Sequence, residues 1–489
     1  MTPSTARAIS AWPWPLAAAA LGVGAVAWPV AALGAVGGAA AVALAALAPG
    51  AAVGVTVLAV LFVRPIEHLF PIAALGYLDE ALVLLCAVVL PLRRIAGGGR
   101  LRAFPGQWWF AGFAAAGLLS GVVLGVEPVT YLSGAVVIGK GLVFAWAVAQ
   151  VDWTERHLLV AARAGAGLVV ACLVATALNA LLPGPWAAVM ASDANAIESR
   201  GFLPSLVGPF SHPIDLGQFM ALSAIAVTAW RIAVRRGPLS FALLLATAAA
   251  AVSSARRTAI GSLAAGWMWV KAVGRSTGAL LAIAVCIPLG ALVLAEPIGA
   301  VVTATYQDYL DPHGDPEART VLTRDSFAVA ADHFPAGAGF GRFGSAVAAE
   351  TYSPEYVERG YPDIWGLGRG EENGRFLTDT EWPAIIGEAG FLGFAAFAIG
   401  LFAIHRAARR LWLSAGSPLA RWAGLVAAGW TIACLVQSVA TVTFTGPPMY
   451  GLFFGLVGVV TALSDRPGAE RAPHSTTRPV DGLIPGGRT

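Results

Sequence analysis

Apolar runs long enough to cross a bilayer recur from about residue 14 to about residue 463 of this 489-residue chain. A transmembrane helix needs about 20 predominantly apolar residues, with a working range of about 17–25. The sequence therefore predicts about 12–14 transmembrane helices, since some of the runs are short or broken. The candidate spans are residues 14–30, 31–48, 50–64, 76–92, 107–124, 132–150, 157–182, 213–232, 238–253, 257–273, 277–296, 381–404, 420–443 and 448–463.

Charged residues make up only 12% of the chain, whereas soluble domains average about 25%. This low share excludes a soluble globular enzyme, and the apolar content excludes a disordered chain. The runs are continuous, while the strands of a membrane barrel alternate over about ten residues. The predicted fold class is an all-α polytopic integral membrane protein with one large extracytoplasmic loop that forms a helical cap.

The four cysteines all lie inside apolar runs, which argues against a disulfide framework or a metal cluster. They are Cys86, Cys172, Cys286 and Cys434. We accordingly predict no metal site and no cofactor. The N-terminal apolar stretch lacks a convincing cleavage site, so we interpret it as the first span and not as a signal peptide.

Basic residues in short loops predict the orientation, because such loops carry excess Lys and Arg on the cytoplasmic side. With an even number of spans, all the basic loops and both termini fall on one side. We assign that side to the cytoplasm and the chain to the cytoplasmic (inner) membrane. The loop residues are Arg93, Arg94, Arg100, Arg102, Arg231, Arg235, Arg236, Lys271, Arg275, Arg406, Arg409 and Arg410.

Composition divides the chain into five segments. These are N-terminal transmembrane helices (1–182), further helices with an outer loop and the SSARRT hairpin (183–297), a large extracytoplasmic loop (298–380), C-terminal transmembrane helices (381–463) and a disordered cytoplasmic tail (464–489). The large loop holds six arginines, no lysine and thirteen acidic residues, the composition of a soluble protein. Loops of this length are usually functional or disordered, and its aromatic content with a helical pattern around 319–334 favours a folded cap.

Two pairs of arginines are candidates for binding phosphate, which arginine recognises through a planar fork of donors. Arg256 and Arg257 lie at the predicted outer end of a hairpin, where basic residues are disfavoured. The alternative for them is snorkelling toward lipid headgroups. Arg319 and Arg324 lie five residues apart on a predicted helix, and their alternative is an ordinary ion pair with Glu317 or Asp325.

The stretch Leu377-Thr378-Asp379-Thr380-Glu381-Trp382-Pro383 places two carboxylates and a tryptophan just before a predicted span. Such a group suits a general base beside an aromatic platform. The alternative is a helix N-cap at Thr378 or Asp379 with Trp382 at the membrane interface. Upstream, a helix followed by Pro335 and several glycines predicts a helix stop and a tight turn.

Four segments together resemble the O-antigen ligase/polymerase superfamily over roughly residues 200–400. GPFSHPIDLGQFMAL is similar to its "hpN-lG" segment, SARRTAIGSLAAG to its "SRT" helix start, DHFPAGAGFGRFGS to its "hPl-GvG-gnF" element, and DTEWPAIIGEAGFLGF to its "aE-G-lG" opening. Ligases of that family usually carry a histidine ahead of the last motif. Residues 377–383 contain none, which is more similar to the exopolysaccharide-polymerase branch.

The resemblance implies a metal-independent glycosyltransferase that takes glycans from undecaprenyl pyrophosphate on the outer leaflet. We expect Asp379 to be the base with Glu381 as its competitor, and arginines to stabilise the leaving pyrophosphate. The predicted catalytic residues are Asp379, Glu381 and Arg324, and the predicted substrate-binding residues are Arg256, Arg257, Arg319, Arg342, His212 and Trp382. The expected partners are undecaprenyl-pyrophosphate-linked glycans and membrane lipids, with a flippase and a chain-length regulator as further partners and no nucleic acid.

Two alternatives stay open. A ligase that transfers the finished glycan to another acceptor shares the fold and the donor. A transporter or flippase is a different class, and Lys140 in VVIGKGLVF is its one strong candidate for an intramembrane charge. The ordinary alternative for Lys140 is a buried ion pair or a snorkelling side chain. The single large loop and the lack of internal repeats favour the enzyme.

Overall fold

A computed structural model describes residues 29–70, 72–190, 205–274, 318–370 and 372–465. Across these ranges the chain is helical and has no strand. The α-helices are α1 (Pro29–Leu47), α2 (Pro49–Leu69), α3 (Leu78–Ala96), α4 (Gln107–Val123), α5 (Pro128–Ala149), α6 (Glu155–Leu181), α7 (Pro183–Met190), α8 (Pro213–Ala233), α9 (Pro238–Ser253), α10 (Arg257–Val273), α11 (Ala318–Asp332), α12 (Ala346–Thr351), α13 (Pro354–Glu358), α14 (Trp382–Ser414), α15 (Pro418–Gln437) and α16 (Met449–Ser464).

Seven of the described helical stretches are long and apolar enough to cross a membrane: Pro49–Leu69, Leu75–Ala96, Pro128–Ala149, Glu155–Leu181, Pro213–Ala233, Trp382–Ser414 and Pro418–Gln437. Four shorter apolar helices accompany them, within α1, α4, α9 and α16. The prediction of an all-helical, multi-pass membrane protein is confirmed at this level. The predicted span 277–296, most of the span 14–30 and nearly all of the C-terminal tail lie outside the described residues.

Proline begins several of these helices. It occupies the first turn of α2, α5, α8, α9, α14 and α15. At the first helical position the missing N–H costs no hydrogen bond, and the fixed φ angle suits the helix. The prolines between the apolar runs therefore mark where these six helices begin.

Helices α14 and α15 lie side by side at the centre of the bundle. α14 packs against α4 and α11, and α15 packs against α8, α10 and α16. Phe113 of α4 and Phe397 of α14 meet edge to face at 5.1 Å between ring centroids. Small residues bring other backbones close: a Cβ at Gly424 would lie 2.7 Å from the backbone N of Trp412. Close packing at small residues is typical of membrane helix interfaces.

Arg94 and Arg102, the Arg102 cluster, connect several helices at one end of the bundle. Arg102 donates to Asp152 (2.8 Å), to Asp465 after α16 (2.9 Å) and to the carbonyl of Ala149 at the end of α5 (3.2 Å). Arg94 also pairs with Asp152 at 3.0 Å. Partial burial alone raises the pKa of Asp152, but the two guanidiniums outweigh it and hold that pKa below its ordinary value.

Residues 318–377 contribute a small helical unit with an apolar core of its own. Tyr356 and Tyr361 are fully buried in it and stack at 5.2 Å between ring centroids. Burial raises the pKa of Tyr361, and the neighbouring Asp325 carboxylate raises it further. Its first helix, α11, packs along α14 and ends at Asp332, directly before the predicted proline–glycine stop.

Helix α14 is broken near its start. Gly390 has φ 66° and ψ −172°, a conformation essentially restricted to glycine. The turn after α11 fills the break, because the N–H groups of Ala338 and Gly339 donate to the carbonyls of Gly387 (2.8 Å) and Glu388 (2.9 Å). Broken membrane helices persist where neighbouring protein satisfies the freed backbone groups. The small helical unit is thereby attached to the first two turns of α14.

Candidate functional site

A cavity of about 350 Å³ with several charged residues in its walls lies at the end of the bundle opposite the Arg102 cluster. Here α2 ends, while α3, α8 and α14 begin. The volume falls within the range of about 300–1,000 Å³ for small-molecule sites. Its walls come from Arg64, Glu80, Val137, Ile138, Lys140, His212, Ile214, Asp215, residues 344–346, residues 378–381, Ala384, Thr441, Val442 and residues 445–447.

Asp379 lies in the cavity wall and is held by Arg319. The guanidinium of Arg319 donates from Nε to Oδ2 of Asp379 at 2.9 Å, and its Nη2 makes a second hydrogen bond to the same oxygen. Phe376 stacks under the guanidinium, 5.5 Å from ring centroid to Cζ. Both charged side chains are about three-quarters buried. Asp379 is therefore a fixed carboxylate in the cavity wall, whereas Arg319 is not itself among the lining residues.

Glu381 follows in the same wall and is almost fully buried, with 1% exposure. Its Oε2 accepts the backbone N–H groups of Thr443 (2.6 Å) and Phe444 (2.9 Å). The carboxylate therefore holds the 441–447 loop that closes one side of the cavity. Glu381 is also the N-cap residue of α14, without a side-chain capping bond, so neither Thr378 nor Asp379 is the N-cap considered from the sequence.

Arg64 of α2 is a cavity residue that sequence reasoning missed. Its Nη1 lies 3.2 Å from Oδ1 of Asp215, an aspartate in the first turn of α8. Among the described residues, only Nη1 of Arg64 makes a hydrogen bond. The N–H groups of Nε and Nη2 therefore remain available to donate to a ligand. The Arg64 side chain is 45% exposed. The sequence feature that could have identified Arg64 is its position at the end of an apolar run, just ahead of Pro65.

His212 lies in the cavity wall as the N-cap residue of α8. Its Nδ1 accepts the backbone N–H of Ile214 at 3.2 Å. An accepting Nδ1 assigns the proton of the neutral ring to Nε2. The structure thus brings together three residues that the sequence predicted for the site: His212, Asp379 and Glu381 all line the cavity.

Lys140 is a second basic residue in the cavity wall. Its Nζ lies 2.9 Å from Asp79 and also pairs with Glu80, and the hydroxyl of Tyr450 donates to Asp79 at 2.8 Å. A buried charge needs such partners. Lys140 is therefore in a buried ion pair, as the ordinary alternative from the sequence had it.

The other predicted residues lie apart from the cavity walls. Arg324 is 71% exposed at its side chain and pairs with its neighbour Asp325 at 2.9 Å. Arg342 donates to Glu355 from Nε (2.8 Å), inside the small helical unit. Trp382 packs edge to face on Phe394 at 5.8 Å between ring centroids.

Arg256 and Arg257 are half-buried at the start of α10, and each has an interaction partner. Neither residue lines the cavity. The preceding Ser253–Ser254 turn packs beside α8: the Ser253 carbonyl accepts the N–H of Leu206 at 3.1 Å. The SSARRT turn therefore lies near the start of α8, which carries His212 into the cavity wall.

Glu388 is a second residue that sequence reasoning did not single out, although it stands in the EAGFLG motif. It is fully buried, and its Oε1 accepts from the N–H of Phe343 (3.0 Å) and from the hydroxyl of Ser345 (2.6 Å). Ser345 lines the cavity. Glu388 thus fixes the glycine-rich turn against α14 and sets the position of this wall.

The cavity mixes both signs of charge, and each of its two fixed cations, Arg64 and Lys140, contacts carboxylates. No cluster of three or more metal-binding side chains occurs in the described part of the chain. Neither protein-family models nor curated protein sequences match the chain. The chemistry of the cavity is therefore the basis for a functional proposal.

Proposed function

We propose that the chain is a polysaccharide polymerase of the cytoplasmic membrane that works at the outer leaflet without a metal ion. It transfers a glycan from undecaprenyl pyrophosphate to a hydroxyl of a second lipid-linked repeat unit. The observation that carries the proposal is the pairing of Arg319 with Asp379 at a cavity that also presents the partly unbonded guanidinium of Arg64. A held carboxylate and an arginine with spare donors are the two groups that this chemistry needs.

In the proposed reaction the acceptor hydroxyl attacks the anomeric carbon of the donor sugar from the face opposite the pyrophosphate. The new glycosidic C–O bond forms as the C–O bond to phosphate breaks, with inversion at that carbon. Asp379 takes the hydroxyl proton, and the bonding electrons leave with the lipid pyrophosphate. The proposed glycosyl transfer consumes no oxidant or reductant and uses no metal ion.

Arg64 is the group best placed to hold the pyrophosphate. Its Nε and Nη2 donors are not used among the described residues, and nearly half of its side chain is exposed. Arginine binds phosphate oxygens through two parallel hydrogen bonds, which adds geometric specificity. In this arrangement Arg319 orients the base, and Arg324, which is exposed on the small helical unit, is no longer assigned to the leaving group.

Membrane orientation is part of the proposal. The cavity lies at the end of the bundle opposite Arg94 and Arg102. Short loops rich in arginine mark the cytoplasmic side, so the cavity and residues 318–380 would face the outer side. A ligase would use the same cavity, but the absence of histidine from residues 377–383 favours the polymerase.

Reconstitution tests the proposal. Purified full-length protein in proteoliposomes would be given undecaprenyl-pyrophosphate-linked repeat units in EDTA, and the products separated by size. A ladder of longer glycans with release of undecaprenyl pyrophosphate is expected. Transfer of single units to a non-identical acceptor would indicate the ligase. Movement of intact lipid-linked units between leaflets without chain growth would indicate the flippase and contradict the polymerase.

A further inference from the structure

Helix α14 presents a narrow stripe of exposed side chains after its break at Gly390. Residues three or four apart lie on one face of a helix, and the exposed residues follow this spacing. Leu392, Phe402 and Leu413 are exposed at 59%, 64% and 65%. The stripe, named the α14 stripe, consists of Leu392, Ala395, Ile399, Phe402, Arg406, Arg409, Arg410 and Leu413. It is apolar over its first four members and then carries three arginines toward the end of the bundle opposite the cavity.

Tryptophan side chains mark the level at which the α14 stripe changes from apolar to cationic. Trp269 of α10 packs on His405 at 5.3 Å between ring centroids, and Nε1 of Trp412 donates to the carbonyl of Val273 at 3.3 Å. Tryptophan is enriched where the hydrocarbon of a membrane meets the lipid headgroups. The three arginines of the stripe therefore lie at headgroup level, and the apolar members lie at the level of the hydrocarbon.

Other helices bring further cations to the same end of the bundle. The charges of Arg231 and Arg236, at the end of α8, act on the ammonium of Lys271 at the end of α10. The guanidinium of Arg421, in the first turn of α15, lies over the ring of Trp412 at 4.5 Å. Like charges repel one another at such range. The convergence is therefore unfavourable unless an anion lies among these cations.

The protein offers these cations little negative charge. The sequence contains no aspartate or glutamate from residue 216 to 295 or from 389 to 464, and residues 466–489 carry four arginines against two acidic residues. Among the described residues, the ion pairs include none of these cations. Arg94 and Arg102 differ, because they share Asp152. The counter-charge at the end of α14 must therefore come from a bound anion.

The α14 stripe suits an anionic lipid better than a soluble anion. A soluble phosphate would contact only the arginines. A phospholipid would also cover the exposed side chains of Ile399 and Phe402 with its acyl chains, because these residues lie one and two turns before Arg406 on the same face. Arginine binds phosphate oxygens through parallel hydrogen bonds. Basic residues near a membrane surface also attract anionic lipids through their charge.

We infer that the α14 stripe binds an acidic phospholipid, with the phosphate at Arg406, Arg409 and Arg410 and the acyl chains along Ile399 and Phe402. The neighbouring cations of α8, α10 and α15 add to the field that attracts the headgroup. The lipid belongs to the leaflet opposite the cavity. The inference is independent of the proposed polymerase, because it uses none of the cavity residues.

Native mass spectrometry of the full-length chain in detergent tests the site. The protein is titrated separately with dioleoyl phosphatidylglycerol, dioleoyl phosphatidylcholine and inorganic pyrophosphate. Each arginine near the headgroup should strengthen binding of the anionic lipid about fivefold, so three arginines should give the wild type a preference of about a hundredfold over phosphatidylcholine. The preference should fall at least about fivefold when NaCl rises from about 50 mM to about 500 mM, because salt screens exposed charges.

Paired substitutions locate the binding on the α14 stripe. Arg406→Gln combined with Arg409→Gln should weaken phosphatidylglycerol binding about twenty-fold and leave phosphatidylcholine within twofold. Arg406→Lys combined with Arg409→Lys keeps both charges and should stay within about fivefold of the wild type. The matched control is Arg369→Gln combined with Arg375→Gln, which removes two exposed arginines of the small helical unit and should bind like the wild type. The thermal unfolding midpoint of each preparation reports whether it is folded.

Several outcomes would overturn the lipid site. One is equal binding of the two lipids by the wild type, or a preference that salt does not change; this measurement needs no variant and decides the matter even if the glutamine variant fails to fold. Another is an equal loss in the control, which would indicate a general effect of net charge. Pyrophosphate binding as tight as that of phosphatidylglycerol, and lost in the glutamine variant, would indicate a site for soluble anions instead.

Discussion

Replacing Asp379 with asparagine distinguishes a catalytic role of this carboxylate from a structural one. Asparagine keeps the shape and one oxygen that can accept from Arg319, so a hydrogen bond from the charged guanidinium to a neutral amide oxygen survives. The negative charge and the capacity to take a proton are lost. We expect the variant to fold and to enter the membrane normally, and to lose nearly all polymerisation.

The magnitudes distinguish the two effects. A positioned base contributes about 10²–10⁴-fold in rate, which corresponds to about 3–5 kcal/mol in the activation barrier. The ion pair with Arg319 is partly exposed, at 22% and 26% of the two side chains. Both side chains are about three-quarters buried, so loss of this charge costs more than the about 0–1 kcal/mol of an exposed pair and at most the about 3–5 kcal/mol of a fully buried one. A hundred-fold loss of rate at an unchanged thermal unfolding midpoint therefore indicates loss of the base and not loss of folded protein.

The assay measures initial rates of glycan extension in proteoliposomes, together with the thermal unfolding midpoint of the same preparation. Asp332→Asn is the matched control, because Asp332 pairs with Arg359 at 2.7 Å in the same helical unit but outside the cavity. The control should retain wild-type rates. Polymerisation by Asp379→Asn within about threefold of wild type, with Asp379→Ala merely unstable, would refute the catalytic role and leave Asp379 as a structural partner of Arg319.

Three further predictions concern the pyrophosphate site, the broken helix and the orientation. Arg64→Lys should raise the donor KM about tenfold with little change in fold, since it removes the fork of donors; equal KM values would contradict the assignment. Gly390→Ala should destabilise the protein by more than about 3 kcal/mol in thermal unfolding, because a Cβ there would lie 2.5 Å from backbone nitrogen. Gly370→Ala has a similar positive φ but open space, so its cost should be about 1–2 kcal/mol. In intact cells an impermeant thiol reagent should label Glu358→Cys, while Arg100→Cys should react only after permeabilisation; the reverse would invert the topology.

The broken start of α14 explains how a polar site is built at this end of an apolar bundle. Glu388 and the turn at 337–345 satisfy one another, and the carbonyls freed at the break accept from Ala338 and Gly339. The same contacts position Ser345 in the cavity wall. The turns that line the site are therefore tied to helix backbone by hydrogen bonds, which helps to fix its geometry.

Much of the helical organisation followed from the sequence, because hydropathy and proline or glycine signals act locally. The stop after α11 and the starts of α8 and α14 lie where these signals predicted them. Asp379, Glu381 and His212 were selected from short motifs and all line the cavity. Arg324 and Arg342 came from the same kind of reasoning, yet both turn to acidic neighbours within the small helical unit. Spacing along a helix says which residues are near, but not which side of the helix meets the cavity.

What the sequence by itself determined is the class of protein: an all-helical chain with several helices that are long and apolar enough to cross a membrane, since each span depends on its own composition. Only the tertiary structure decided which charges meet. Arg64 and Asp215 are 151 positions apart, and Arg319 and Asp379 are 60 apart. Such pairs form because packed helices bring the ends of α2 and α8, or of α11 and α14, to one level of the bundle. No local pattern encodes that register, so the cavity and the ion pairs in its walls appear only in the folded chain.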